Sequence, residues 1–245
     1  MDQKYNRRTF LNRVAIPTML APFGLLARAN GRTTRSETVQ ASDTTPIEPH
    51  RPAPFSEELV SEFVGVCHRD IEQVSKLLVD EPKLVYASQD RGGGDWETGL
   101  GGASHVGRRD IARLLLTHGA RKDIFGAAML GEREVIAAMV NADSTMSEQV
   151  GPHGYRGLYH VAISGDVEMA EVVLSEVGDK NHHVNRALSA AVRDGHYDMT
   201  RWLLAQGATS VNASGFGGKP LDIAIRRGDT RIAGLLREHG ATEGD

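Results

Sequence analysis

The side chains that could do chemistry in this sequence are its ten histidines, its single cysteine and a short acidic segment. Asp95, Glu97 and His105 lie close together in the chain and carry carboxylate and imidazole groups that can bind a metal ion or move protons. His182 and His183 are adjacent in a predicted loop, where adjacent histidines rarely reach one ion. Because no spacing typical of a metal site or a nucleophilic triad occurs, the sequence predicts no enzyme activity, no metal and no cofactor. A metal-binding or enzymatic protein stays as a minor alternative.

Two glycine-rich segments and one cysteine complete the candidates. The segments 92–94 and 215–219 lack the Lys-Ser/Thr ending of a phosphate-binding loop, so they are predicted to be flexible connections. Cys67 has no second cysteine to pair with, which excludes an intramolecular disulfide and a thiolate metal cage. Its position in the apolar pattern predicts a core residue.

Charge and composition narrow the class of partner. Charged residues make up 24% of the chain and hydrophobic residues 40%, as in a folded soluble protein. Of 28 basic and 32 acidic residues, five basic and one acidic lie in 1–29, so 23 basic and 31 acidic residues remain, with a formal charge of −8. Nucleic acid is therefore not an expected partner, because phosphate contacts need a basic surface.

The first 29 residues have the organisation of an export signal. The pattern consists of Arg7, Arg8, Phe10 and Leu11, then an apolar run over 14–26, then the small residues Ala27 and Ala29. It resembles the bacterial twin-arginine (Tat) signal peptide, which implies the Tat translocase as a transient partner, cleavage near Ala29 and a periplasmic or secreted location. The run is shorter than the roughly 20 residues of a membrane span, so no stable membrane insertion is expected after cleavage. Residues 30–54, rich in Thr, Ser and Pro, are predicted to be a disordered linker.

A helical pattern repeats along the rest of the chain. Apolar residues lie seven and four positions before, and four, seven and eight positions after, a set of turn residues: Asp70, Gly107, Gly131, Gly165, Gly195 and Gly228. These spacings place the apolar residues on one face of a helix on each side of the turn. Each unit is therefore predicted to be a helix, a tight turn and a second helix, with glycine supplying the left-handed backbone conformation.

The unit resembles an ankyrin repeat. Residues 98–120 follow that pattern from end to end. The closing Leu-Leu-x-x-Gly-Ala recurs at 203–208, and a form of it with one more residue before Gly-Ala recurs at 235–241. The resemblance implies an all-α fold, an ankyrin-repeat solenoid of about six helix-turn-helix repeats within 55–245. The repeats are expected at about 56–88, 95–121, 122–141, 154–178, 184–209 and 217–241. The uneven spacing predicts an enlarged finger over 88–97 and no finger before Gly131.

The resemblance also implies a binding surface for a protein or peptide on the concave face, formed by first helices and fingers. The expected contact residues are Asp95, Trp96, Glu97, His105, Met129, Leu130, Tyr155, Ile163, Arg193, Phe216 and Arg226. Trp96, Tyr155 and Phe216 could instead pack between neighbouring fingers. The expected function is an exported, non-catalytic scaffold for an unidentified protein partner. The alternative is an accessory or protective subunit of a co-exported enzyme that carries a cofactor.

Overall fold

Six helix-turn-helix pairs follow one another along the chain. The structure, a computed structural model, describes residues 53–215 and 217–244. Those from Phe55 onward belong to one compact unit, Phe55–Asp245. The predicted signal over 1–29, the linker up to residue 52 and Phe216 lie outside the described residues. Within them, the helices are α1 (Glu57–Val66), α2 (Ile71–Asp80), α3 (Gly99–Val106), α4 (Arg109–Thr117), α5 (Ile124–Leu130), α6 (Arg133–Ala142), α7 (Gly157–Ser164), α8 (Val167–Ser175), α9 (Lys180–Asp194), α10 (Tyr197–Ala205), α11 (Pro220–Arg226) and α12 (Thr230–Glu238).

The turn inside each pair confirms the sequence pattern. The φ angles of the five turn glycines lie between 70° and 80° at Gly107, Gly131, Gly165, Gly195 and Gly228. This left-handed conformation strains any residue with a Cβ, which explains why glycine recurs there. In the first pair Asp70 instead caps α2, and its carboxylate accepts the Gln73 backbone N–H at 3.0 Å. The predicted all-α solenoid of about six repeats is confirmed, and we number the pairs as repeats one to six.

The connections between pairs differ in length. The first finger is a hairpin of two strands, β1 (Ser88–Asp90) and β2 (Trp96–Thr98), in which Gln89 pairs with Glu97. No strand lies between α4 and α5, where the chain crosses over 118–123. Short 3-10 helices occupy Pro82–Tyr86, Ser144–Glu148 and Pro152–Gly154. The enlarged first finger and the missing finger before repeat three both match the expectations from spacing.

The ninth helix corrects one expectation. His182 and His183 were expected in a loop, but both lie in the first turn of α9. Asp179 starts this helix early, because its carboxylate accepts the backbone N–H of His182 at 3.4 Å. The helix then buries His183 and leaves His182 exposed.

The first helices of repeats two and four contact each other directly, although repeat three lies between them in the chain. The Tyr159 hydroxyl donates to the His105 carbonyl at 3.1 Å, and the Arg109 guanidinium donates to the Ile163 carbonyl at 2.9 Å. α5 in repeat three has seven residues. α3 and α7 therefore meet across repeat three.

One continuous apolar core runs through the stack, from Phe63 in α1 to Ala241 after α12. Its members are mostly Ala, Val, Leu and Ile, which allow the short helices to pack closely. Not one of the described helices has the length and apolar character needed to cross a membrane.

Candidate functional site

The middle of the expected concave face is buried. Met129 and Ile163 are both 0% exposed, so their assignment as partner contacts is wrong. Ile163 packs against the turn at Gly107, where an added Cβ would lie 3.1 Å from its Cγ2. The closure of α3 onto α7 removes this surface from solvent. Sequence periodicity could not reveal the closure, because it describes only neighbouring repeats.

Two further expected contacts, Glu97 and His105, are also buried, with the Glu97 side chain 0% exposed. Neighbouring strand residues point to opposite faces, so β2 turns Trp96 outward and Glu97 inward. His105 lies on the side of α3 that Tyr159 and Tyr155 cover, and the Tyr155 ring stacks 5.8 Å from its ring. Neither side chain can form part of an open contact surface.

The remaining expected contact residues differ in how far they are exposed to solvent. Tyr155 packs internally, because its ring stacks on Tyr159 at 4.0 Å, which supports the packing alternative for this residue. Arg193 is half-buried and bonds to Asp194 and to the Tyr159 hydroxyl. Leu130 is half-buried, and Arg226 is exposed. Phe216 lies outside the described residues.

An open cleft of about 420 Å³ lies between the first finger and the loop over 150–154. Trp96 and Val150 line it and are each 59% exposed, while Phe125 at its inner side is buried. Asp95 and Asp123 add carboxylates to its lining. Two exposed apolar side chains therefore lie on the walls of one cleft.

A cluster of ionisable groups lies beside this cleft. His68, Glu97, His105 and His153 each offer one possible ligand atom, and these atoms all lie within 4.8 Å of one another. Glu97 Oε1 is 3.1 Å from His68 Nε2, 3.4 Å from His105 Nδ1 and 3.3 Å from His153 Nε2. Arg91 holds the other carboxylate oxygen, with its Nη2 2.6 Å from Oε2.

Four separate segments bring the cluster together. His68 follows α1, Glu97 lies on β2, His105 lies on α3, and His153 lies in the 150–154 loop before repeat four. His153 has φ 57° and is the one non-glycine residue with positive φ in the described chain. Its backbone N–H donates to the Asp95 carboxylate at 3.1 Å, which holds the loop against the first finger. No short sequence motif joins these segments, so the sequence indicated only Asp95, Glu97 and His105 as a possible group.

Burial and charge fix the protonation of the cluster. Burial alone would raise the pKa of Glu97, but hydrogen bonds from His68 and Arg91 outweigh it and lower the pKa to about 2. Burial opposes the charged form of His68, yet the hydrogen bond and the charge of Glu97 raise the pKa of His68. Burial lowers the pKa of His105 to about 4, helped by the charge of His68. Around neutral pH Glu97 is an anion and His105 is neutral.

The stacked pairs of short helices, five of them joined by a left-handed glycine turn, form an all-α ankyrin-repeat solenoid. The family model described as ankyrin repeats (3 copies) matches residues 158–244. Among the curated proteins, none matches this chain. Ankyrin repeats as a class suggest a protein-interaction scaffold.

Proposed function

We propose that this protein is an exported, non-catalytic scaffold that binds a protein or peptide through the cleft between the first finger and the 150–154 loop. The observation that carries this proposal is the exposure of Trp96 and Val150 at 59% each, on two sides of the same cleft. Tryptophan contributes more to protein interfaces than most residues, because it buries a large rigid surface. The carboxylates of Asp95 and Asp123 favour an apolar segment that also carries a positive charge or an N–H donor.

The cleft replaces the centre of the concave face as the expected contact surface. Met129 and Ile163 cannot take part without opening the contact between α3 and α7. Trp96 keeps its expected role, and Val150 joins it. His153 joins the two walls of this cleft, because its backbone N–H donates to the Asp95 carboxylate at 3.1 Å and its Nε2 lies 3.3 Å from Glu97 Oε1.

Site-specific photo-crosslinking in the native cells tests the binding surface. A photoreactive residue replaces Trp96 or Val150 in the cleft, and in the controls it replaces Val79 on α2 or Tyr86, which are 74% and 56% exposed. We expect one dominant cross-linked protein when the photoreactive residue is at position 96 or 150, and we expect this protein to be absent when the residue is at position 79 or 86. The same partners at all four positions, or none at any, contradict the proposal. An enzyme as the captured partner assigns the accessory role.

Export is proposed on the sequence pattern over 1–29. Replacement of both Arg7 and Arg8 by Lys should leave the precursor inside the cell, because the translocase distinguishes a guanidinium from an ammonium group. Arg13→Lys is the matched control and should be exported. Cell fractionation and the N-terminal residue of the exported chain measure the outcome, with Asn30 expected first. Export of the double variant at the level of the control would overturn this assignment.

A further inference from the structure

We propose that His68, Glu97, His105 and His153 bind one divalent transition-metal ion, with Zn²⁺ the best fit. Three imidazoles and one carboxylate form a donor set that suits zinc in tetrahedral coordination. Calcium and magnesium fit less well, because both ions need several oxygen ligands and only one carboxylate oxygen faces the histidines. Arg91 occupies Glu97 Oε2, which leaves Oε1 as the single anionic ligand.

The separations between donor atoms match tetrahedral zinc. Bonds of about 2.0–2.1 Å from zinc to nitrogen or oxygen place neighbouring ligands about 3.3 Å apart. His68 Nε2 lies 3.1 Å and His153 Nε2 lies 3.3 Å from Glu97 Oε1. All four possible ligand atoms lie within 4.8 Å of one another, and any separation longer than about 3.3 Å has to shorten when the ion binds.

Two of the histidines face Glu97 through Nε2 and have an outer acceptor for Nδ1. His68 Nδ1 lies 2.9 Å from the Val64 carbonyl, and because a carbonyl oxygen only accepts, Nδ1 carries the hydrogen and the lone pair is at Nε2 when the ring is neutral. His105 differs, because its Nδ1 lies both 3.1 Å from the Gly101 carbonyl and 3.4 Å from Glu97 Oε1, so zinc binding at this atom requires the tautomer with the hydrogen on Nε2 and the loss of the bond to Gly101. His153 Nδ1 lies 3.3 Å from Asp95 Oδ2.

Outer partners of this kind orient metal-binding histidines and fix their tautomer. The candidate site therefore includes carbonyl and carboxylate oxygens that hold the ligands in place, in addition to the four ligands. Burial fixes the orientation of Glu97, because its side chain is 0% exposed and contacts the histidines from β2. His153 is the exposed member, with 37% of its side chain open to solvent, so an ion can enter from that side.

His182 and His183, which are adjacent in the sequence, do not form a comparable group. His183 Nε2 lies 3.2 Å from Glu148 Oε2, and its ring centroid is 6.0 Å from that of the exposed His182. Among the described residues, the cluster at Glu97 is the one place where three or more such ligands converge. His182 is therefore a suitable control position.

Zinc titration of the metal-free full-length chain, in competition with a coloured indicator, measures the site directly. We expect one Zn²⁺ per chain and a rise in the melting temperature, because an ion that binds only the folded state stabilises it. Co²⁺ in the same position should show the strong visible absorption of tetrahedral coordination. No binding, with a melting temperature unchanged by zinc or chelator, overturns the proposal and identifies the cluster as an ion-pair network.

Four variants test the ligand assignment, two at proposed ligands, one at an outer partner and one at a control position. His153→Asn removes an imidazole at a position whose left-handed backbone asparagine adopts readily, so the fold should persist. Asp95→Asn removes only an outer partner, so its zinc affinity should fall by ~10–100-fold. The zinc affinity of His153→Asn, which loses a ligand, should fall by more than that. His182→Asn should bind zinc like the unaltered chain. Equal affinity in His153→Asn and His182→Asn contradicts the assignment. Glu97→Gln, which keeps the side-chain shape, gives a second test through loss of the Co²⁺ spectrum.

Discussion

The hydroxyl of Tyr159 donates a hydrogen bond to the backbone carbonyl of His105 at 3.1 Å, which joins the first helices of repeats two and four. The hydroxyl also lies 3.1 Å from Arg193 Nη1 in repeat five. One buried side chain therefore connects repeat four with repeats two and five, through partners that are 54 and 34 residues away in the chain. Burial of this group raises the pKa of Tyr159 to about 12, so it stays a neutral donor.

Tyr159→Phe tests this connection. Removal of the hydroxyl leaves a buried carbonyl and a guanidinium with one partner fewer, so we expect the free energy of unfolding to fall by about 1–2 kcal/mol. Urea denaturation measures the change. Tyr86→Phe, at a tyrosine that is 56% exposed, should change stability by less than about 0.5 kcal/mol. Equal stability of the two variants would show that the bond contributes nothing to the closure.

The turn glycines allow a matched pair of substitutions. Gly131 and Gly165 both have φ 79°, so alanine introduces the same backbone strain of about 1–2 kcal/mol at either position. At Gly165 the new Cβ would lie 2.6 Å from His196 Nδ1, whereas at Gly131 the nearest atom is 4.0 Å away. Gly165→Ala should therefore be the more destabilising variant in thermal unfolding. It should also displace His196 from the Ile163 carbonyl, which its Nε2 now approaches to 2.9 Å.

Acid should destabilise the fold through His160. Burial lowers the pKa of this side chain from 6.5 to about 3, and its Nδ1 lies 3.0 Å from the Arg156 carbonyl. Between those values the unfolded chain binds a proton that the folded chain does not, so stability falls as the pH drops from about 6.5 to 3. The slope from this group is at most about 1.4 kcal/mol per pH unit.

His160→Leu isolates that contribution. The variant should gain stability relative to the unaltered chain as the pH is lowered from 7 to 4, whatever its stability at pH 7. Urea unfolding at several pH values gives the difference. His182→Leu, at an exposed position on α9, serves as the control. A difference between His160→Leu and the unaltered chain that is constant across this range would show that His160 takes up a proton while folded.

Asp166 links repeats three and four in two ways. One carboxylate oxygen accepts the Met169 backbone N–H at 2.9 Å as the cap of α8, and the other is 2.8 Å from Arg133 Nη2. Asp229 caps α12 through an equivalent bond to Ile232 at 2.9 Å. Asp229→Ala should cost about 1 kcal/mol, the usual value for a lost cap. Asp166→Ala should cost up to about 1 kcal/mol more, and this excess should disappear when Arg133 is replaced by Met.

The helix pairs could be predicted because each repeat carries its own apolar period, and five of the six carry a turn glycine as well. The contact between α3 and α7 could not be predicted, because the repeat pattern describes only how neighbouring repeats pack. Glu97 shows a second limit. Its place in a finger suggested an exposed contact, but strand alternation beside Trp96 turns it inward. His68 and His153 contact Glu97 only in the folded stack, because both lie far from it in the chain. No local sequence spacing predicts these contacts.

The contact between α3 and α7 changes how the stack should come apart. A solenoid in which every repeat touches only its neighbours can fray from either end, one repeat at a time. Here repeats two, three and four form a closed loop of contacts, so the middle one cannot open without breaking the bond between the other two. These three repeats should unfold as one cooperative unit, while α11 and α12 can detach separately. Unfolding would then occur in at least two steps, with the C-terminal repeat separating before the central repeats.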